Sequence, residues 1–102
     1  MIPMSGFRHV VMFAWAEGTT TSQQEEVRTR LAELPAVIPE VGSLSLGADA
    51  GVNAGNFDFV VVGDFADRDA YIAYRDHPAH RAVVDGYIKP ILDRRAAVQY
   101  EM

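Results

Sequence analysis

The chain has 102 residues, 49% of them hydrophobic, with 9 basic side chains against 14 acidic ones and a formal net charge of −5. The length fits one domain, 1–102 with its core in 7–101, and the acidic balance argues against a nucleic-acid backbone or an anionic membrane surface as partner. There is no cysteine, so disulfides, thiolate metal sites and thiol catalysis are excluded.

The opening Met-Ile-Pro-Met-Ser-Gly has no basic region followed by an apolar run, and no stretch approaches the length of a membrane span. The expected location is the cytoplasm. A domain this short leaves much apolar surface poorly covered, and association with a second copy would relieve that.

The first element in chain order is "FRHVVMFAW", Phe7–Trp15. Phe7, His9, Val11, Phe13 and Trp15 take one face of a strand, and Val10, Met12 and Ala14 the other. Both faces are largely apolar, so both should be covered. Helices can supply one cover; the other needs a layer that this short chain lacks.

Thr21 with Gln24 and Ser22 with Glu25 both fit the capping-box spacing, which predicts a helix start there. Val27, Leu31 and Leu34 form its apolar stripe, and Pro35 closes it. Val41–Gly47 alternates weakly and reads as a short strand. The run 48–56, "ADAGVNAGN", reads as a turn, and Phe57–Phe65 as a third strand with Phe57, Phe59, Val61 and Phe65 on one face.

Asp67 then caps a helix carrying Ala70, Tyr71 and Tyr74, which "HPAH" at 77–80 interrupts. Pro78 suits the first position of a new helix, where no N–H is needed. Val84, Tyr87, Ile88 and Ile91 continue the stripe until Pro90 perturbs it. The last strand is near Arg95–Glu101, with Ala96, Val98 and Tyr100 on one face. The order β-α-β-β-α-β is the split βαβ pattern of an α+β, ferredoxin-like domain. It predicts one antiparallel sheet with helices on one face and a bare second face that invites dimerisation.

"AYRDHPAHRAVV", residues 73–84, holds the residues most suggestive of chemistry. A metal would need three or four convergent ligands. Pro78 sets His77 and His80 in different directions, and Asp76 and Asp85 do not obviously converge on them, so no metal is expected. A general base fits better. His80 falls at the third position of a helix, whose positive end disfavours imidazolium and keeps the ring neutral. If Tyr74 faces the same space, its hydroxyl can hold a carbonyl oxygen while His80 takes a proton. His9 can line that space too. The plainer roles are His77 as a helix cap, Tyr74 as a core aromatic and His9 as a half-buried strand residue. No phosphate-cradling glycine loop and no GxSxG occurs, so no cofactor is expected.

The element order resembles that of the stress-responsive dimeric α+β barrel (Dabb) domains. So do "FRHVVMF" at Phe7–Phe13, "LAELPAVIPEVGSLSLG" at Leu31–Gly47 and "FDFVVVGDFADRDAYIAYRDHPAHRAVVDGYIKPIL" at Phe57–Leu92. The resemblance covers about residues 7–101. It implies a ferredoxin-like monomer whose bare sheet face meets that of a second copy, closing a barrel. The family includes a plant polyketide cyclase that closes a ring with a histidine and a tyrosine, which match His80 and Tyr74. Other histidines of that member match His9 and His77, whereas a third-strand histidine is replaced by Phe59. Bulky aromatics of its pocket helices become Val27, Leu31 and Val83, so the substrate does not carry across.

The leading expectation is a homodimer with a cavity for a small apolar or aromatic molecule. The residues expected to line it are His9, Val11, Phe13, Val27, Leu31, Val61, Tyr74, His80 and Val84. The alternatives are a cofactor-independent cyclase- or isomerase-type lyase using His80 and Tyr74, and a structural stress protein. Fold alone does not choose among them.

Overall fold

A computed structural model describes residues 6–102; Met1–Ser5, within which no export signal is read, lie outside the described residues. Four antiparallel strands form one sheet: β1 (Phe7–Trp15), β2 (Val41–Ala48), β3 (Phe59–Phe65) and β4 (Leu92–Glu101). Their spatial order is β2-β3-β1-β4, so β1 is central and β2 and β4 are the edges. Three α-helices, α1 (Thr21–Ala32), α2 (Arg68–Asp76) and α3 (Pro78–Val83), lie against one face. This is the ferredoxin-like α+β architecture expected from the element order.

The alternation of β1 decides what each face does. Phe7, His9, Val11 and Phe13 are buried under the helices. They meet Val61 and Phe65 of β3, Val27 and Leu31 of α1, and Leu34 and Ile38 of the connection that follows it. On the opposite face Val10 stands between Val62 and Val98, and Met12 between Val60 and Ala96. Among the described residues no layer covers that face: Val98 is 61% exposed and Met12 and Tyr100 are also open. Its charged group is a two-toothed pair in which Arg8 Nε and Nη2 donate to Asp64 at 2.7 and 2.9 Å.

Several boundaries differ from the sequence expectation. The capping box that forms is Thr20 with Gln23, one residue before the Thr21–Gln24 pair: Gln23 N–H donates to Thr20 Oγ1 at 3.1 Å, and Thr20 N–H to Gln23 Oε1 at 2.9 Å. Three threonines in a row make this register ambiguous from spacing alone. α1 ends at Ala32, and Leu34, with Pro35, belongs to a separate 3₁₀ turn, Leu34–Ala36. β3 begins at Phe59, because Phe57 leaves the ladder and lies under the Arg94 guanidinium, 4.7 Å from its ring centre. β4 begins at Leu92, three residues before Arg95. Pro90, with no N–H, cannot continue α3. The chain instead widens into an i→i−5 turn over Val84–Ile88, tightens to a 3₁₀ turn over Lys89–Ile91, and enters the sheet at once. No helix among the described residues is long and apolar enough to cross a membrane.

Candidate functional site

α2 and α3 meet at His77, and the break there builds the site. Asp67 caps α2 by accepting from Ala70 N–H at 2.8 Å, as the sequence predicts. At the far end His77 caps α3: its Nδ1 accepts from Ala79 N–H at 3.0 Å, and Pro78 takes the first helical position. In an unbroken helix Ala79 N–H would serve the Arg75 carbonyl four residues earlier. The cap takes that donor, and His80 replaces it, its Nδ1 lying 2.9 Å from the Arg75 oxygen.

That contact fixes the chemistry of His80. A carbonyl oxygen only accepts, so Nδ1 carries the hydrogen, and in the neutral ring Nε2 is the free acceptor. Burial pushes the imidazole below its ordinary 6.5, partly opposed by the Arg75 carbonyl, which favours the charged form. Burial, rather than the helix end, is what favours the neutral ring.

Tyr74, one turn before the break, is 1% exposed. Its ring packs 4.3 Å from the His80 ring, centre to centre, and 5.1 Å from Phe65. Burial raises its hydroxyl above the usual phenol range, so it remains a donor at any physiological pH. The described residues contain no sealed side-chain nitrogen or oxygen without a partner.

His9 of β1 is buried, its ring tilted against that of Tyr71 at 4.9 Å between centres. Its Nδ1 accepts from Gln99 Nε2 at 2.8 Å, which leaves Nε2 as the protonated nitrogen of the neutral ring. Burial, with His80 and Arg95 adding to it, pushes His9 down to about 4. The buried His9 and the half-buried His80 thus present opposite characters, His80 an acceptor and His9 a donor.

Tyr74 and His80 share the wall of one cavity of about 570 Å³ between helices and sheet. His9, Val11 and Phe13 of β1, Leu31 of α1, Val61 of β3 and Val84 also line it. Val27 does not: it is 0% exposed and belongs to the core beneath α1. The cavity forms because β4 is an edge whose inner face is poorly covered by helices. Arg95, Ala97 and Gln99 point inward there, opposite Phe13, Val11 and His9. Ala97 is too small to fill the gap. The wall also contains Tyr71, Arg75, Arg81, Ile88, Lys89 and Leu92, which sequence reasoning missed. For Arg95, Ala97 and Gln99 the alternation of β4 was the available signal: it set Ala96, Val98 and Tyr100 on one face and so put 95, 97 and 99 on the other. His77 is spent on its cap. No group of three or more His, Asp or Glu side chains among the described residues is placed to hold a metal ion. A second hollow, of about 470 Å³, lies on the bare face between Met12, Phe57 and the 48–56 connection, and no titrating pair faces it.

The model for the stress-responsive A/B barrel domain (Dabb) matches residues 7–102. A dimeric ferredoxin-like protein of unknown function from Thermobifida fusca is 46% identical, with a TM-score of 0.88 over 96% of this chain and 92% of that one. A Dabb family protein with a ferredoxin-like fold from Mesorhizobium loti is 22% identical, with a TM-score of 0.79 over 95% and 96%. A hydroxynitrile lyase from Passiflora edulis is 16% identical, with a TM-score of 0.86 over 98% and 95%, a likeness of fold alone. No curated protein is similar to the chain in sequence. With its fold, its HPAH break and the match over nearly all its length, the chain belongs to the stress-responsive A/B barrel domain family.

Proposed function

We propose that the chain is a single cytoplasmic domain that pairs with a second copy through its bare sheet face and binds a small aromatic or apolar carbonyl compound in the 570 Å³ cavity. There it acts as a lyase or isomerase of the cyclase type. One observation carries the reading: Tyr74 and His80 line the same cavity with their rings 4.3 Å apart, one a lasting donor and the other a neutral acceptor. His80 Nε2 takes a proton from the carbon next to the carbonyl. The electron pair of that C–H bond moves into an enolate, and the Tyr74 hydroxyl donates to the oxygen where the charge develops. The enolate carbon then attacks a second carbonyl, whose π pair moves to its oxygen and takes the proton from His80, or is itself reprotonated by His80. No cofactor is required for either step.

The dimer rests on the exposed Val98, Met12 and Tyr100 and on dimeric relatives, the Thermobifida fusca protein among them. The test of the chemistry is exchange of the acetophenone methyl protons in D₂O, followed by proton NMR. Wild type is expected to accelerate exchange, and His80→Ala to lose about 10²- to 10⁴-fold of that acceleration. Tyr74→Phe should lose a smaller part. Equal exchange in all three proteins removes the assigned roles.

A further inference from the structure

The charge around the cavity is the reverse of the charge of the chain. The sequence has 14 acidic and 9 basic side chains. The wall nevertheless holds four of the basic ones, Arg75, Arg81, Lys89 and Arg95, and none of the acids. Two of the four are engaged: Arg75 Nε is 2.9 Å from Asp76 Oδ1, and Lys89 Nζ is 3.1 Å from Asp85 Oδ1. Among the described residues Arg81 and Arg95 make no salt bridge. The two differ in their surroundings. Arg81 lies within electrostatic reach of Asp76 and Asp85. Arg95 stands on the inner face of β4 opposite Phe13, two residues from Ala97 and four from Gln99, close enough to bias His9.

An unpaired guanidinium beside a cavity whose wall is about half apolar is a site for a planar anion. A carboxylate accepts two parallel N–H bonds from it, whereas a neutral group accepts fewer and weaker ones. Ala97 leaves the space along β4 through which such a group would reach Arg95.

We propose that the ligand is an aromatic or apolar carbonyl compound that also carries a carboxylate, and that Arg95 is the specificity residue that receives it. The ring lies among Val11, Leu31 and Val61, the carbonyl is at Tyr74 and His80, and the carboxylate is on Arg95. This rests on the cavity reading above and adds the charge of the ligand to it. It also explains why an acidic protein keeps an acid-free wall here: a carboxylate in the cavity would repel the ligand.

The test compares 4-acetylbenzoate with 4-acetylbenzamide, which share the ring and ketone and differ in charge. Binding is followed by NMR shifts of the Val11, Leu31 and Val61 methyl groups. Wild type is expected to bind the benzoate about tenfold more tightly than the benzamide, the scale of one charge-assisted pair at a partly open site. Arg95→Gln should remove that preference by weakening benzoate binding far more than benzamide binding, and Arg81→Gln should leave most of it. Equal affinity of wild type for the two compounds overturns the carboxylate assignment and leaves the cavity reading standing. A preference that survives Arg95→Gln and disappears in Arg81→Gln overturns the choice of residue. Failure of both compounds to shift those methyl groups removes the cavity reading itself, and this inference with it.

Discussion

His80 owes its state to a chain of small causes that begins with Pro78. The proline ends α2, His77 captures Ala79 N–H, the Arg75 carbonyl loses its donor, and His80 supplies one through Nδ1. None of these steps involves a ligand, and their product is an imidazole oriented and neutral before any substrate arrives. His9 is held neutral more strongly, and this links it to stability. Its folded value of about 4 lies below the ordinary 6.5, so the unfolded chain binds the proton more readily. The stability it contributes is complete above pH 6.5 and is lost as pH falls toward about 4. His9→Phe should therefore lose less melting temperature between those two pH values than wild type does, measured by thermal denaturation in matched buffers. Parallel losses in the two proteins would contradict the burial of a neutral His9. The cap role of His77 and the position of His80 were legible from the spacing in "DHPAH". The Arg75 contact was not, because it depends on where a backbone carbonyl points once its helix is broken.

At the scale of elements, strongly alternating segments were read well and the ends of segments less so. β1 declared both its faces, and the α2–α3 break followed from one proline. α1 shows the limit: the spacing offered Thr21 and Ser22 as caps, and the cap that forms is Thr20, which Gln23 answers in both directions. Thr20→Ala should cost about 1 kcal/mol in chemical denaturation, as loss of a helix cap does, and Thr21→Ala a few tenths at most. A larger loss at Thr21 would mean that the box forms one residue later. The cavity was the hardest element to foresee, because it is a gap between elements. Val27 was expected on its wall and is sealed in the core, since α1 turns Leu31 rather than Val27 toward the opening. Periodicity says which side of a helix is buried, not whether the space it faces is filled.

For the whole molecule, a one-sided sheet leaves two surfaces to explain. The helix-covered side holds the core and the cavity; the other presents Val10, Met12, Val62, Val98 and Tyr100 around the Arg8–Asp64 pair. An exposed apolar sheet face of this kind is what a second copy would cover. Wild type should therefore run as a dimer at micromolar concentration in light scattering, and Val98→Glu as a folded monomer by circular dichroism. A wild-type monomer would contradict the pairing. A crystal structure with acetophenone tests directly whether Tyr74 and His80 open onto one cavity that takes a carbonyl compound. The ketone oxygen is expected about 3 Å from the Tyr74 hydroxyl, with the methyl carbon beside His80 Nε2. A ligand bound elsewhere, or a cavity closed by side chains over both residues, would contradict it.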